Sequence, residues 1–528
     1  MSSDRVASQS SSARRVGPLA IRLAAALILL PALAAAQALP GLSSLRVAYN
    51  TRKATANPQG ELKAQLDAVD KALVAATRAG EAGEARRQLA KGMALLAGDA
   101  WTPALDYRNS LVIRSERTIV DSSEPYAARL EQIYEPEIDL TPAISARVSL
   151  LRRAGAKPGA SRAAAPPPME TVREFGRLDG VARDLRESPF PLELDLAAVP
   201  DGAYTLEAEL FDGDTSLGAA RLGLALHKGL DERLRALEAG AAAAPGTVRA
   251  DIRYPGDFIR NVNRGRVGRG TFDTATELRA AEAVLAAVEK REDPYKGRTG
   301  SMERHYLLEG AGEVMPYRVH VPAAYRAATP TPLVIALHGL GGNEDSFFDA
   351  YDGAAVRLAE QHGFLLAAPL GYRVDGFYGA AMGGAPDAAT RRRLELSEKD
   401  VLEVVRRMRD DYNVDPSRIY LIGHSMGAIG TWHLAAKYPD LWAAIGPFSG
   451  TGSPASVASM KGLPQIVVHG DADPTVNVAG SRNMVAEMKR LGVPVTYIEV
   501  PGGNHSNVVV PNMPKVFEFL AAQRRPRT

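Results

Sequence analysis

The second half of the chain alternates short apolar runs with longer amphipathic segments. Apolar runs end near His338, Gly423 and Gly470, and a fourth run covers residues 495–500. Runs of this length, bounded by glycine-rich stretches, predict buried parallel strands. Residues 431–438 have apolar positions at helical spacing, which predicts a helix after the second strand. The pattern therefore predicts a doubly wound, mostly parallel α/β sheet near the C-terminus.

Residues 40–300 have a different texture. Apolar residues recur at helical spacing between positions 61 and 96, which predicts one or two helices. Segments 230–243 and 274–290 are also predicted to be helical. Residues 154–168, rich in Ala, Gly and Pro, are predicted to form a loop or linker.

Between these helices the apolar pattern is typical of strands. Residues 110–120 are predicted to be one strand, and segments 192–196, 204–210 and 222–226 are separated by turn signals. We predict a small antiparallel sandwich with immunoglobulin-like texture. Its role stays open between substrate binding, gating, anchoring and simple packing, because a fold does not specify a function. The predicted organisation is a signal peptide at 1–36, a helical segment at 37–105, a β-sandwich-like accessory domain at 106–228, a helical connector at 229–300 and an α/β domain at 301–528.

The first 36 residues have the pattern of an export signal. Arg14 and Arg15 supply a positive region, residues 23–33 are apolar, and three alanines before Gln37 suit a small-residue cleavage site. The apolar stretch is short for a stable membrane span. We therefore predict a periplasmic or secreted protein, with the general secretory route and the twin-arginine route both open.

Composition narrows the class of protein further. The 528 residues are 46% hydrophobic and carry a formal net charge of +2. The chain is thus of globular composition, long enough for more than one domain, and its charge indicates no nucleic-acid partner. It contains no cysteine, which excludes disulfides and thiol chemistry. Composition leaves the oligomeric state undetermined.

The most specific motif is the G-x-S-x-G run from Gly423 to Gly427, with Ser425 at its centre. It follows an apolar strand and precedes a helix, which is the context of a nucleophile elbow. The turn is so tight that glycines are needed two residues either side of the serine. The strand-turn-helix context therefore predicts an exposed Ser425 hydroxyl at the edge of the sheet.

Two carboxylates and one histidine follow downstream at strand ends. Asp471 and Asp473 come directly after one predicted strand, and His505 lies in a glycine-rich loop after the next. Ligands bind outside the carboxyl ends of parallel strands, so these side chains are placed to reach the serine. We favour Asp473 as the acid because it stands further past its strand and precedes a proline. Asp471 is predicted to accept backbone N–H groups in the same loop.

A glycine-rich loop after the first strand is a candidate oxyanion hole. Glycines at 339, 341 and 342 allow backbone N–H groups to approach an oxygen closely. We assign the hole to the N–H groups of Met426 and Leu340. His338 and His469 directly precede loop glycines and are predicted to brace those loops.

The segment between residues 371 and 394 is predicted to overhang the serine, because it follows a strand end. Its Phe377, Tyr378 and Met382 are candidates for lining an acyl or aromatic pocket. An alternative is that these side chains only pack the loop.

These segments resemble the α/β-hydrolase superfamily, in particular bacterial esterases related to polyhydroxybutyrate depolymerases, feruloyl esterases and acetyl-xylan esterases. They are also similar to the catalytic domain of prolyl-oligopeptidase-type peptidases. The resemblance covers about residues 304–525 and departs at Ala428, where many of these esterases carry a second glycine. The matching segments are 337–342, 400–405, 412–420, 423–427, 430–432, 469–473 and 504–506.

The resemblance implies roles for three residues. Ser425 would be the nucleophile, His505 the general base and then acid, and Asp473 the group that orients the imidazole. The implied reaction is two-step acyl transfer through an acyl-serine on a small or polymer-linked ester. It implies no cofactor, and no His, Cys or carboxylate spacing predicts a bound metal.

Two other functions stay open at this point. One is a peptidase for small peptides, although residues 40–300 lack the periodicity of propeller blades. The other is a non-catalytic carbohydrate- or envelope-binding protein, which is disfavoured because candidates for every catalytic element are present in the sequence.

Overall fold

The structure, a computed structural model, describes residues 42–141, 143–154, 168–270, 272–381 and 386–526. The predicted export signal, most of the predicted linker and Met382 lie outside these ranges. Among the residues described, no helix combines the length and the apolar character needed to cross a membrane.

Four helices open the described chain: α1 (Leu42–Ala56), α2 (Gly60–Ala79), α3 (Ala82–Ala97) and α4 (Pro103–Ser110). The first three share a small core that includes Tyr49, Leu66 and Leu89. α2 and α3 end at Gly80 (φ 75°) and Gly98 (φ 87°), where glycine adopts the left-handed conformation without strain. This segment is therefore a helical layer with its own core.

Two sheets follow, with strands β1 (Leu111–Arg114), β2 (Ile119–Asp121), β3 (Tyr126–Gln132), β4 (Ile144–Arg153), β5 (Met169–Val181), β6 (Phe190–Leu194), β7 (Gly202–Asp212) and β8 (Thr215–His227). One sheet has the order β1-β3-β6 and the other β2-β8-β7-β4-β5. Both contribute to one apolar core. In β7, buried Tyr204, Leu206 and Leu210 alternate with more exposed residues, as expected for a sheet with one face on a core.

The predicted continuous strand at 110–120 is wrong. Ser110 ends α4, and the chain then forms two short strands separated by a turn. In that turn, the Ser115 hydroxyl donates to the Ala127 carbonyl at 3.0 Å and accepts the Arg117 N–H at 3.2 Å. These bonds compete with strand pairing and end β1, so β2 pairs with β8 in the other sheet.

Three helices connect the sheets to the C-terminal domain: α5 (Leu230–Ala243), α6 (Arg249–Asn263) and α7 (Thr274–Glu289). We did not predict α6, whose interior contains Pro255 and Gly256, both strong helix breakers. Both residues are buried. Tertiary packing of α6 therefore outweighs its poor helix propensity.

The C-terminal domain is a single sheet covered by helices on both faces. Its strands are β9 (Gly300–Leu308), β10 (Glu313–Val321), β11 (Thr331–Leu337), β12 (Leu365–Pro369), β13 (Val414–His424), β14 (Ala444–Phe448), β15 (Gln465–Gly470) and β16 (Val495–Val500). Its helices are α8 (Ser346–Asp349), α9 (Ala354–His362), α10 (Ala388–Asp411), α11 (Met426–Lys437), α12 (Ala479–Leu491) and α13 (Val509–Ala521). Short 3₁₀-helices cover Tyr351–Gly353, Phe377–Gly379, Pro439–Leu441 and Pro454–Met460.

The strand order of this sheet is β9-β10-β12-β11-β13-β14-β15-β16. β9 and β10 are antiparallel, and the strands from β12 onward pair in parallel. One apolar cluster lies between the sheet and α10, α11 and α12, and a second lies between the sheet and α9 and α13. The carboxyl ends of β11, β13, β15 and β16 consequently share one edge.

Helix α6 makes hydrogen bonds to both neighbouring parts of the protein. On one side, Asn263 Oδ1 accepts the Thr118 N–H at 2.8 Å. On the other, Asp251 accepts the His305 N–H at 2.8 Å and Asp257 accepts the Val314 N–H at 2.9 Å. α6 thus joins the accessory sheets to the edge of the C-terminal sheet.

Candidate active site

Ser425 occupies a strained turn between β13 and α11, with φ 58° and ψ −117°. Its N–H donates to the Phe448 carbonyl at 3.0 Å, which ties the turn to β14. A Cβ on Gly423 would lie 2.3 Å from the Gly427 carbonyl oxygen, and a Cβ on Gly427 would lie 2.0 Å from the Leu337 carbonyl oxygen. The two motif glycines are therefore required by backbone crowding.

Three of the predicted site residues meet at the carboxyl edge of the sheet. Ser425 Oγ lies 2.9 Å from His505 Nε2, and His505 Nδ1 lies 2.7 Å from Asp473 Oδ2. Asp473 comes from the loop after β15 and His505 from the loop after β16. The carboxylate accepts the Nδ1–H, which leaves Nε2 free to accept the serine proton.

The Asp473 carboxylate has partners for both oxygens. Oδ1 accepts the N–H groups of Thr475 (2.8 Å) and Val476 (3.0 Å). Burial opposes ionisation, but the hydrogen bond to His505 and these N–H groups hold the pKa of Asp473 below its ordinary value. Asp471 instead accepts the Gly502 N–H at 2.6 Å. Gly502 lies in the loop after β16, so this bond joins two loops and is not the bond within the Asp471 loop that we predicted. Asp473 is thus the ionised carboxylate that faces the imidazole.

A second imidazole contacts Asp473. His469 is fully buried, and its Nε2 lies 3.1 Å from Asp473 Oδ2 and 3.0 Å from the Val476 carbonyl oxygen. Its Nδ1 lies 2.7 Å from Ser481 Oγ. We predicted that His469 braces its loop, but not that it contacts Asp473. The only local signal for this contact is the spacing of four residues between His469 and Asp473.

His424, inside the motif, supports the loop that carries His505. Its Nε2–H donates to the His505 carbonyl at 2.8 Å, and its Nδ1 accepts the Tyr351 hydroxyl at 2.8 Å. Burial lowers the pKa of His424 to about 4, so the ring is neutral near pH 7 and has a single N–H. We did not predict this role from the sequence.

The loop after β11 lies against the serine. A Cβ on Gly339 would be 3.4 Å from Ser425 Cβ. Within the described residues, no hydrogen bond engages the N–H of Leu340 or of Met426. His338 is buried, and its Nε2 lies 2.7 Å from the Leu370 carbonyl oxygen. Both N–H groups are therefore available as donors, and His338 braces the loop that carries Leu340.

The three candidate pocket residues have different environments. Tyr378 is fully buried, and its hydroxyl donates to the His338 carbonyl at 3.2 Å. Its ring fills space beside Gly371 and Gly430, in keeping with the alternative that Tyr378 packs the loop. Phe377 is partly buried against the same core, and Met382 is not among the described residues.

The fold and these residues define a class of protein. A mostly parallel sheet with this strand order, and with a serine on a strand-turn-helix elbow followed by an acid and a histidine, is the α/β-hydrolase arrangement. The predicted fold class is confirmed.

Comparison with known proteins narrows this class. Residues 309–497 match a family model described as a putative esterase. Together, fold and match support an α/β-hydrolase esterase, which confirms the esterase part of the resemblance stated above.

Three curated relatives each match about a third of this chain or less. A bifunctional acetylxylan esterase/xylanase of Neocallimastix patriciarum is 28% identical over 169 residues, 32% of this chain and 22% of the relative. Feruloyl esterase B of Talaromyces funiculosus is 28% identical over 148 residues, 27% of this chain and 38% of the relative. A poly(3-hydroxyalkanoate) depolymerase C of Paucimonas lemoignei is 31% identical over 131 residues, 25% and 30% respectively. The match therefore spans well under half the length of these relatives.

Proposed function

We propose that this protein is an exported serine esterase that hydrolyses carboxylic esters through an acyl-serine on Ser425. The observation that carries the proposal is the unbroken chain of hydrogen bonds from Ser425 through His505 to Asp473. A hydroxyl activated by an oriented imidazole is the arrangement that nucleophilic acyl transfer needs.

In the first step, Ser425 Oγ attacks the ester carbonyl carbon while its proton passes to His505 Nε2. The carbonyl oxygen becomes an oxyanion, which the N–H groups of Leu340 and Met426 stabilise. Donors of this kind lower the barrier by ~2.7–4 kcal/mol each. The imidazolium then protonates the leaving alcohol oxygen as the C–O bond breaks, and Asp473 stabilises the charged ring throughout.

In the second step, water takes the place of the alcohol. His505 removes a proton from the water, whose oxygen attacks the acyl carbon of the ester on Ser425. Collapse of the second tetrahedral intermediate returns the proton to Ser425 Oγ and releases the carboxylic acid. The enzyme regains its starting state with no added cofactor.

The rim of the site favours an apolar group on the substrate. Leu340 is 49% exposed and Val374 is 45% exposed, and the Gly341 N–H donates to the Val374 carbonyl at 2.9 Å, which holds the two loops together. Phe377 remains a candidate for this rim. We propose a small-molecule or polymer-linked ester as substrate, in keeping with the acetylxylan, feruloyl and polyhydroxyalkanoate esters named for the relatives.

The esterase relatives give no support to the peptidase alternative. The signal-like residues 1–36 support export to the periplasm or the medium.

The test compares turnover of p-nitrophenyl acetate and butyrate with that of peptide p-nitroanilides. We expect ester turnover by the wild type and a loss of several orders of magnitude in Ser425→Ala. Ser449→Ala is a matched control, since Ser449 is a buried serine at the end of the neighbouring strand β14. Ester turnover that survives in Ser425→Ala, or faster turnover of the anilides, would contradict the proposal.

A further inference from the structure

A second group of chemically active side chains lies away from the serine, where helix α7 meets strand β9. Glu277 is on α7, and Glu303 and His305 are two residues apart on β9, so their side chains share one face of the strand. One ligand atom from each of the three lies within 4.8 Å of the others. Carboxylate oxygens and an imidazole nitrogen therefore converge on one small volume.

The His305 ring is held in a fixed orientation. Its Nδ1 lies 3.1 Å from Asp251 Oδ1, and the same oxygen accepts the His305 backbone N–H at 2.8 Å. The ring also stacks on Tyr254, with 3.9 Å between centroids. With Nδ1–H donated to Asp251, Nε2 faces Glu303 Oε1 at 3.1 Å. Metal-binding histidines are typically oriented in this way, by a carboxylate on the opposite nitrogen.

A buried carboxylate beside this group lacks a partner. Glu344 is 6% exposed, and its Oε2 makes no hydrogen bond to any described residue. Burial, followed by repulsion from Glu303 and Asp345, raises the pKa of Glu344 well above its ordinary value. The charges of Glu303 and His305 both act on Glu344, which is therefore in their neighbourhood but outside the group whose ligand atoms lie within 4.8 Å of one another.

The cations nearby are already engaged. Arg318 pairs with Asp345 and Asp349 on the side of Glu344 and also lies next to Glu303 across the β9–β10 ladder. Arg304 lies on the other side, near Asp251 and Asp411. An unpartnered buried carboxylate oxygen is costly, and neither arginine donates to the free oxygen of Glu344.

We propose that Glu277, Glu303 and His305 form a binding site for a divalent transition-metal cation such as Zn²⁺, with Glu344 as a further carboxylate nearby. One imidazole with several carboxylates is a nitrogen and oxygen ligand set that suits Zn²⁺ better than Ca²⁺ or Mg²⁺, which prefer oxygen ligands alone. The ion would take the place of any proton on His305 Nε2, and its positive charge would offset the negative charges of the carboxylates around it.

The position of this site indicates a structural role. α7 belongs to the connector, β9 is the edge strand of the catalytic sheet, and Glu344 is four residues after Leu340 on the oxyanion loop. A cation held by Glu277, Glu303 and His305 would link the connector to the edge strand of the catalytic sheet. The sequence did not predict this site because Glu277 is far from the β9 pair along the chain. The inference does not depend on the proposed esterase reaction.

The test measures metal binding by the full chain after dialysis against a chelator. We expect the wild type to bind one Zn²⁺ per chain by calorimetry and by elemental analysis, and Zn²⁺ to raise the melting temperature by at least about 3 °C. His305→Gln and Glu277→Gln should each weaken binding by at least about tenfold. Co²⁺ should give visible absorption bands in the wild type that both variants lack.

Two matched variants serve as controls. Glu289→Gln changes an exposed glutamate on the same helix, and His362→Gln removes a histidine at the end of α9. Both should bind Zn²⁺ as the wild type does, and so should Ser425→Ala, which separates this proposal from the catalytic one. If His305→Gln fails to fold, the result for Glu277→Gln tests the proposal instead, because Glu277 takes no part in the hydrogen bond between His305 and Asp251. Absence of stoichiometric Zn²⁺ in the wild type, or wild-type affinity in Glu277→Gln, would overturn the proposal.

Discussion

Replacing Asp473 by asparagine tests the proposed catalytic chain while keeping the size of the side chain. Asp473 Oδ1 accepts two backbone N–H groups, from Thr475 and Val476. The amide oxygen of asparagine must keep these bonds, so its NH₂ group takes the place of Oδ2 opposite His505 Nδ1. His505 Nδ1 must then accept a hydrogen bond from this NH₂ group, so the imidazole proton moves to Nε2. With a proton on Nε2, the imidazole can no longer accept the proton of Ser425.

The expected loss is about 10⁴-fold in kcat, the scale of a triad held in the wrong tautomer. At about 1.36 kcal/mol per factor of ten, this corresponds to about 5 kcal/mol of transition-state stabilisation. The fold should survive, because the side chain keeps its size and the amide oxygen keeps both backbone bonds. His469 Nε2–H can still donate to the Val476 carbonyl oxygen, 3.0 Å away.

The assay is p-nitrophenyl butyrate hydrolysis, with circular dichroism and melting temperature as checks on folding. Asp471→Asn is the matched control, because its amide oxygen can still accept the Gly502 N–H. We expect that control to lose less than about tenfold. A folded Asp473→Asn enzyme with a tenth or more of wild-type activity would refute the reasoning, as would an equal loss in Asp471→Asn.

Three further predictions concern the surroundings of the serine. Folded His424 has a pKa of about 4 and an unfolded histidine about 6.5, so only the unfolded state binds this proton near pH 5. Stability should therefore fall by about 2 kcal/mol from pH 7.5 to pH 5, and His424→Gln should show a smaller fall in chemical denaturation. Gly427→Ala places a Cβ 2.0 Å from the Leu337 carbonyl oxygen and should cost at least about 10²-fold in ester turnover. Tyr378→Phe removes a buried bond to the His338 carbonyl and should destabilise the protein by about 1 kcal/mol, seen as a lower melting temperature with an unchanged KM.

Each of these has a contrary outcome. An acid-induced loss in His424→Gln as large as in the wild type, or a smaller loss in His362→Gln, would show that another group controls the acid limb. Gly223→Ala, where a Cβ meets nothing within 4 Å, should keep full activity, so similar behaviour of the two glycine variants would argue against crowding at the elbow. A changed KM in Tyr378→Phe would mean that the ring contacts substrate after all.

The parts of the site that the sequence predicted are those set by local geometry. The glycines around Ser425 are required by contacts within one turn, and the positions of Asp473 and His505 follow from where their strands end. Tyr378 could not be placed in this way. Whether its ring is buried depends on the space beside two glycines. Gly371 lies earlier in the same loop, and Gly430 lies on helix α11.

The parts that the sequence did not predict depend on contacts between distant segments. Pro255 indicates a helix break, yet the surrounding residues of α6 are buried against two domains and the helix persists. Ser115 breaks a strand pattern by a side-chain bond to Ala127, which lies on another strand. The spacing of apolar residues alone predicts neither the packing that keeps α6 helical nor the side-chain bond that ends the strand.

The double attachment of α6 has a consequence for dissecting the protein. A chain shortened to begin at β9 would keep Ser425, His505 and every strand of the catalytic sheet. It would nevertheless lose the acceptors of the His305 and Val314 N–H groups, as well as the Tyr254 ring that covers the imidazole. The cut would bare an apolar and unpaired flank at β9 and β10, so the hydrolase domain is expected to aggregate when expressed without the connector.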